Sequence, residues 1–323
     1  MPAHAGRLRP LERCIFTLVF ALMAGFVALV AFMATTTQGH RLLAGPSLAQ
    51  QQVQAGLRSQ LRASDTRAGS ARTRQPGDQA RGKAPSPQLL SAALADALRP
   101  VVDSDPGQLA VGVVDLNSGQ AATYDADSVL RGGAVVTTDI LAALLLQHQQ
   151  AGTPLSDHEA DLAAAMIEND STTAASQLWT AIGGAQGLTA ANVTLKLHHT
   201  SLAPGASWTW VGTTVADQLQ LLEDIAAPQS PLDSASRDYA LGLMTRVAVP
   251  QPWGALAAAT TNTPGAVADG SMVGPRWVIG SIGVIQRDGH ELLVAILSDR
   301  NPAEGPAVTA ARAAVLAAAR AVS

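Results

Sequence analysis

Residues Arg131 to Leu144 read RGGAVVTTDILAAL, and this stretch decides the fold of the chain. Two glycines open it, and a run rich in Ala, Val, Ile and Leu follows, continuing to Gln150 as LLQHQQ. The spacing of the apolar residues predicts a helix, and the scarcity of polar side chains predicts that this helix is central to the core. Thr137 and Thr138 are expected at its buried start, with their hydroxyl groups satisfied.

The segments on either side of this helix predict an α+β domain. Before it, SPQLLSAALADALRPVV has helical spacing, and LAVGVVDL and AATY indicate two strands joined by a turn at Asn117-Ser118-Gly119. After it, helical patterns that begin at capping Ser, Thr or Asp residues continue to about Val247. RWVIGSIGVI and ELLVAILSD then indicate strands, and PAVTAARAAVLAAARAV a terminal helix. Such an order predicts an antiparallel sheet flanked by the N- and C-terminal helices, with an inserted all-helical subdomain.

The N-terminal residues predict a membrane anchor, so that a transmembrane helix precedes the α+β domain. Residues 14–34, CIFTLVFALMAGFVALVAFMA, carry no charge and are about as long as a helix that crosses a bilayer. Arginines in residues 1–13 place that tail in the cytoplasm and everything after residue 34 outside the cell membrane, in a single-pass arrangement. A cleaved signal peptide, which would leave the protein secreted, is the alternative, but its apolar core is normally only about 7–15 residues long. Cys14 is the only cysteine, so the exported part can form no internal disulfide.

Residues 35–86 are rich in Gln, Arg, Ser and Ala without sustained apolar periodicity, which predicts a disordered stem between the anchor and the domain at residues 87–323. Eleven of the 21 basic residues but three of the 25 acidic ones precede Pro85, which leaves the remainder with a formal charge of about −12. The cationic stem either lies along anionic lipid or wall polymer or is a solvated spacer; dispersed charges favour the spacer. The composition gives no support for nucleic-acid binding.

The domain resembles a known family in several segments at once. DILAALLLQ, AMIEN, LWTAIGGAQGL, ADQLQLL and GSIG together are similar to class A β-lactamase-type serine hydrolases of actinobacterial type, within the superfamily of β-lactamases and penicillin-binding proteins. The resemblance covers nearly all of residues 87–323. It implies the β-lactamase and transpeptidase fold, together with chemistry that depends on three motifs, S-x-x-K, S-D-N and K-T-G.

The first motif has lost both of its chemical groups in this chain. The resemblance places Ala134 where the nucleophilic Ser would begin the central helix, and Thr137 where a Lys would remove its proton. Ala cannot attack a carbonyl, and Thr cannot accept a proton at neutral pH. A shifted nucleophile at Thr137 or Thr138 would lack an adjacent base.

The other two motifs are altered as well. In place of Ser-Asp-Asn and Lys-Thr-Gly, the matching positions hold Asp170, Ser171, Thr172 and Ala268, Asp269, Gly270. Asp170 or Ser171 is also a natural N-cap for the helix that follows. Asp269 is expected to repel the carboxylate of a penicillin or peptide terminus. The general-base Glu of the family has no clear counterpart in residues 201–211.

Other site chemistry has little support in the sequence. Ser281, in GSIG, lacks the spacing of a nucleophile elbow and is expected in a strand. The adjacent His198 and His199 would point apart, so we expect no metal site, and no cofactor is implied. Trp208 and Trp210 lie where the family has a loop lining its cleft; they mark either a ligand or partner surface or a buried loop anchor.

Two functional hypotheses follow from these observations. The first is a membrane-anchored extracytoplasmic pseudoenzyme that binds a peptidoglycan fragment, a β-lactam-like ligand or a protein partner, with Ser171, Trp208, Trp210 and Asp269 as candidate cleft residues. The second is a β-lactamase-like hydrolase with altered or residual activity that uses a group such as Ser171. A relic that still folds because its core pattern survives is a further possibility that the sequence leaves open.

Overall fold

The computed structural model describes residues 85–104, 107–203, 205–248, 252–260 and 265–322. The predicted cytoplasmic tail, the membrane anchor and residues 35–84 of the predicted stem lie outside these residues. Within the described part, no helix is both long enough and apolar enough to cross a membrane.

A five-stranded antiparallel sheet forms the centre of the domain. Its strands are β1 (Gln108–Asp115), β2 (Ala121–Tyr124), β5 (Ala266–Met272), β6 (Trp277–Arg287) and β7 (His290–Asn301), in the spatial order β2-β1-β7-β6-β5. The predicted turn joins β1 to β2, with Gly119 at φ +71°, a left-handed conformation that suits glycine. The first and last strands of the chain are therefore neighbours in the sheet, because β1 pairs with β7.

The two faces of the sheet bury different layers. Helices α1 (Pro87–Ser104) and α8 (Glu304–Val322) cover one face, and the helical subdomain covers the other. The side chains of strand β7 alternate between these two layers. Leu292, Val294 and Ile296 face the terminal helices, whereas Leu293, Ala295 and Leu297 face the helical subdomain. This architecture confirms the predicted α+β fold.

Six helices make up the inserted subdomain within the described residues. They are α2 (Val136–Ala151), α3 (Asp157–Asn169), α4 (Thr172–Ala181), α5 (Gly184–Leu195), α6 (Val215–Ala226) and α7 (Ser234–Met244). Ser156 and Glu159 form a capping box at the start of α3, Thr214 caps α6 and Asp233 caps α7, as the cap-like positions predicted. Helix α5 was not predicted as a separate helix, because its N-cap, Gly183, and two residues of its first turn, Gly184 and Gly187, are glycines.

Helix α2 is the central element of the subdomain. Every residue from Thr138 to Leu146 is buried, and the helix packs against α3, α4, α5 and α7. A helix enclosed on all sides needs no polar face, which explains why the sequence of α2 is apolar around nearly its whole circumference. Two short strands, β3 (Leu130–Arg131) and β4 (Gly212–Thr213), pair with each other just before α2 begins.

Candidate functional site

Ala134 lies in a single 3-10 turn, Gly133–Val135, that leads directly into α2 and packs on strands β5 and β6. This turn lies so close to the sheet that the facing positions on both strands are glycines. A Cβ placed on Gly270 of β5 would lie 2.8 Å from the Cβ of Ala134, and one on Gly280 of β6 would lie 2.9 Å from the carbonyl oxygen of Gly132. The segments that the resemblance aligns with the first and third motifs are thus in direct contact.

The hydroxyl groups after Ala134 are directed back into the helix or into the core. Thr137 Oγ1 donates a hydrogen bond to the carbonyl oxygen of Ala134, 2.8 Å away. Thr138 is fully buried, and its hydroxyl has no hydrogen-bond partner among the described residues. The expectation of satisfied hydroxyl groups is therefore met by Thr137 and not by Thr138.

The second motif position forms the junction between α3 and α4. Asp170 ends α3 in the left-handed conformation, with φ +52°. Ser171 is the N-cap of α4, where its Oγ accepts a hydrogen bond from the backbone N–H of Ala174 at 3.2 Å, and Thr172 is exposed in the first turn. The capping interpretation of Ser171 is confirmed.

The third motif position lies on β5, one of the two edge strands of the sheet. Ala268 is buried in the core of the helical subdomain, and Gly270 faces Ala134. Because side chains alternate along a strand, Asp269 points to the other face, where its Cβ is 3.7 Å from a Cβ placed on Gly254. Asp269 is only 5% exposed. The structure therefore separates its carboxylate from Ala134 by the thickness of the sheet.

The loop that carries the two tryptophans is closed at its base by paired backbone hydrogen bonds between Ser201 and Gly212. Trp208 is 3% exposed, and its Nε1 donates to Ser176 Oγ of α4 at 3.2 Å. Trp210 is 54% exposed, and the guanidinium carbon of Arg131 lies 5.1 Å from the centroid of its ring. Trp208 is thus the buried anchor that one interpretation expected, whereas Trp210 presents an aromatic surface.

A chain of buried polar side chains runs beneath the start of α2. Gln218 of α6 donates through Nε2 to both carboxylate oxygens of Asp139, at 3.2 and 3.1 Å, and to Thr213 Oγ1 at 3.0 Å. Thr213 shares a 2.8 Å hydrogen bond with Thr200, whose hydroxyl donates to Asp217 at 2.8 Å. Removal from water raises the pKa of Asp139 to about 7, and the negative charge of Asp217 adds to this effect.

Asp139 was not predicted as a site residue, although the sequence contains a signal for it. Its position in DILAALLL places it among the apolar residues of a helix with no polar face, so a buried carboxyl group could have been inferred. The partner Gln218 could not have been identified, because 79 residues separate the two in the chain.

Cavities open on the helical subdomain, and two of them are formed by described residues near the predicted site segments. One, of about 880 Å³, lies between α3, α4 and the loop at Ser207–Thr209; the other, of about 690 Å³, lies between α5, Trp179 and the loop near Gly205. Of the predicted site residues, Thr172 and Trp208 line the first cavity. Ala134, Ser171, Trp210 and Asp269 line neither of the two.

The described residues hold no group of three or more His, Cys, Asp or Glu side chains placed to bind a metal ion. His199 lies 3.7 Å from Asp217 through its Nδ1, and its backbone N–H donates to the same carboxylate. Ser281 lies in β6, as expected, and accepts a hydrogen bond from the backbone N–H of Ala255 at 2.8 Å. These contacts show that His199 and Ser281 each bond to groups within the domain, which is a structural role.

This arrangement of an edge strand, a 3-10 turn leading into a central helix, and a capped helix junction defines the β-lactamase and transpeptidase fold. Solved structures agree. A PBP-A variant in an acyl-enzyme complex with penicillin G is 17% identical, with a TM-score of 0.62, over 73% of this chain and 98% of that one. A class A β-lactamase from Mycobacterium abscessus is 19% identical, with a TM-score of 0.60, over 71% and 98%.

A β-lactamase from Xanthomonas campestris pv. campestris is 18% identical to the chain, with a TM-score of 0.59, over 72% of this chain and 98% of that one. At this level of identity the similarity establishes the fold and leaves the chemistry to be argued from the residues. No protein-family model and no curated protein sequence matches the chain.

Proposed function

We propose that this chain is a membrane-anchored, extracytoplasmic protein that has the β-lactamase fold without its acyl-transfer chemistry, and that serves a binding or cell-envelope role. Its ligand would be a peptidoglycan fragment, a β-lactam-like molecule or a protein partner. The observation that carries the proposal is the close contact between Ala134 and Gly270. Strand β5 and the turn before α2 meet here as in the β-lactamase fold, but the side chain at the point of contact is only the methyl group of Ala134.

The neighbouring groups do not replace the missing nucleophile. An activated hydroxyl needs a base within hydrogen-bond reach, and the Thr137 hydroxyl is engaged with the carbonyl oxygen of Ala134. Asp139 is 1% exposed and is held by Gln218, so its carboxylate is remote from any substrate in solution. Ala268 supplies no cation for a substrate carboxylate. These four positions together favour a catalytically silent site.

The alternative is a hydrolase with altered or residual activity. Its support is the hydroxyl of Ser171, which survives at the second motif position and is partly exposed. Against it, Ser171 Oγ accepts the N–H of Ala174 as a helix cap, and no hydrogen bond among the described residues joins this hydroxyl to the base that a nucleophile requires.

Labelling with a fluorescent penicillin distinguishes the two functions. The full-length protein should carry no label that survives denaturation, and it should not hydrolyse a chromogenic cephalosporin above the background rate. Covalent labelling of the wild-type protein that is abolished by Ser171→Ala would establish the hydrolase instead. A known penicillin-binding protein is the positive control for the dye.

The anchor is tested separately from the chemistry. The full-length chain should sediment with membranes after an alkaline carbonate wash, whereas a variant with three Asp residues in place of Leu18, Leu22 and Leu29 should not. Release of the unaltered chain into the medium, shortened at its N-terminus, would contradict the anchor and indicate a cleaved signal peptide.

A further inference from the structure

The base of the loop that carries the two tryptophans is a seam between two short segments. Thr200 and Ser201 form one side, and Gly212 and Thr213 form the other; we call these four residues the loop base. Backbone hydrogen bonds of 2.9 and 3.0 Å between Ser201 and Gly212 and a 2.8 Å bond between the hydroxyl groups of Thr200 and Thr213 join the two sides. Strand β3 holds the second side, because it pairs with β4. Opening of the loop base therefore requires that these hydrogen bonds between the two sides break.

The loop base is part of a buried hydrogen-bonded chain that has a carboxyl group at each end. On one side, Thr213 accepts a hydrogen bond from Gln218, which also donates to Asp139. On the other side, Thr200 donates to Asp217. Thr213 and Gln218 are fully buried, and Asp139 and Asp217 are 1% and 4% exposed. The closed loop base thus keeps both carboxyl groups away from water.

No cation offsets the charge at the Asp139 end of this chain. Helices α3, α4, α5 and α7 pack against α2, yet within the described residues the charged side chain that shifts the pKa of Asp139 is Asp217, whose negative charge raises it. The imidazole of His199 faces Asp217, with its Nδ1 3.7 Å from the carboxylate. The side chain that donates to Asp139 is the neutral amide of Gln218. An ionised Asp139 is therefore enclosed at a high cost in free energy.

Opening of the loop base would relieve this cost. Separation of Thr200 from Thr213 would let water reach Gln218 and then the carboxylate of Asp139. Water stabilises the ionised form over the protonated form, so the open state has a lower pKa for Asp139 than the closed state, in which burial raises this pKa to about 7. The closed state consequently binds the proton more tightly. Closure is favoured at low pH and weakens as the pH rises toward about 7.

We propose that the chain from Asp139 to Asp217 is a proton-operated latch, which holds the loop base closed while Asp139 is protonated and lets it open more often once Asp139 has released its proton to solvent. Trp210 lies between the two sides of the loop base, so the latch would control how its exposed ring is presented. This inference goes beyond the binding role proposed above and does not depend on it, because the latch is a property of the domain without a ligand.

Hydrogen exchange tests the latch directly, because the backbone N–H groups of Ser201 and Gly212 form the paired bonds of the loop base. Exchange in the full-length protein is measured by mass spectrometry with single-residue fragmentation, and each rate is corrected for its intrinsic pH dependence. Protection of the two amides should fall by about ten- to thirtyfold between about pH 5.5 and pH 8, the upper figure applying if opening fully hydrates Asp139.

The amides that join β1 to β7 separate local opening from global unfolding. Ser201 and Gly212 should be less protected than these strand amides at every pH, because exchange through global unfolding would protect all of them equally. Equal protection of the two sets would overturn the proposal. So would protection of Ser201 and Gly212 that stays constant over this pH range in the wild-type protein.

Substitutions identify the group that titrates. Asp139→Asn should make the protection of the loop base independent of pH. Asp224→Asn is the matched control, because Asp224 is also a buried carboxyl group, on α6, whose burial raises its pKa to about 6, and it lies outside the chain. This variant should keep the wild-type fall in protection. Asp217→Asn should reduce the fall without abolishing it, since the charge of Asp217 raises the pKa of Asp139.

A fall of wild-type size in Asp139→Asn, or its loss in Asp224→Asn, would show that another group controls the loop base. The Asp217→Asn variant keeps the test decisive if Asp139→Asn does not fold, because an undiminished fall in Asp217→Asn also contradicts the latch. Folding of each variant is checked by its thermal unfolding midpoint.

Discussion

Burial strongly raises the pKa of the Asp139 carboxyl group. Replacing Asp139 by Asn therefore gives a quantitative prediction. Its pKa rises from 3.8 to about 7 on folding, mainly because the folded protein removes it from water. A group with a raised native pKa holds its proton more tightly in the folded state. The free energy of unfolding therefore falls as the pH rises from about 4 to about 7, and is lowest above that range.

The magnitude follows from the size of the shift. A change from 3.8 to about 7 corresponds to about 4 kcal/mol of stability lost between pH 4 and pH 8, since one pKa unit is about 1.4 kcal/mol. The amide of an Asn side chain at this position would stay neutral at every pH. Its oxygen could still accept the hydrogen bond that Gln218 Nε2 donates to Asp139. We expect Asp139→Asn to stabilise the domain by about 2–4 kcal/mol at pH 8.5 and by less than about 1 kcal/mol at pH 4.5.

Equilibrium unfolding in urea at several pH values measures this effect as the difference between variant and wild type. Taking the difference cancels other titrating groups that the substitution does not touch, such as Asp224, whose burial raises its pKa to about 6. Asp217 shares the buried chain, so Asp217→Asn is measured alongside to show how much of the effect depends on its charge. Asp127→Asn, at an exposed position, is the control substitution. A variant no more stable than wild type at pH 8.5 would refute the reasoning.

Three further predictions concern the former motif positions and the loop. Ser171→Ala should destabilise the domain by about 1 kcal/mol in urea unfolding, because α4 loses its cap, and an unchanged midpoint would contradict the capping role. Gly270→Ala should lower the free energy of unfolding by about 1–3 kcal/mol, because the added methyl group would crowd Ala134. Adding Ala134→Gly should restore most of that loss. Additive effects of the two substitutions in this double-mutant cycle would rule out the contact. Trp208→Phe should lower stability by about 1–2 kcal/mol through the lost hydrogen bond to Ser176, with Ser176→Ala giving no further loss in the same background.

The fold could be predicted because its strongest signals are local. The apolar run after Arg131 predicts α2, the Asn117-Ser118-Gly119 turn predicts the first hairpin, and the capping residues mark the starts of several helices. Helix α5 escaped prediction because Gly183 and Gly184 resemble a loop; both adopt positive φ, and the helix is stabilised by packing against α2 rather than by its own sequence.

The candidate site was harder to predict, because it depends on which face of a strand a side chain occupies. Asp269 was expected in the cleft beside Ala134, but a displacement by one residue along a strand moves a side chain to the opposite face. Ala268 and Gly270 face the helical subdomain, so Asp269 faces the terminal helices. The burial of the Asp269 side chain follows from the three-dimensional packing around Gly254, which the sequence does not show.

The fold can persist without the motif side chains because none of them carries the packing of the core. The central helix is fixed by its buried residues from Ile140 to Leu146, and its start is fixed by backbone approach to Gly270 and Gly280. A chain with Ala at position 134 and Thr at position 137 can therefore keep this scaffold, because the packing that fixes the helix and its start does not depend on a polar side chain at either position.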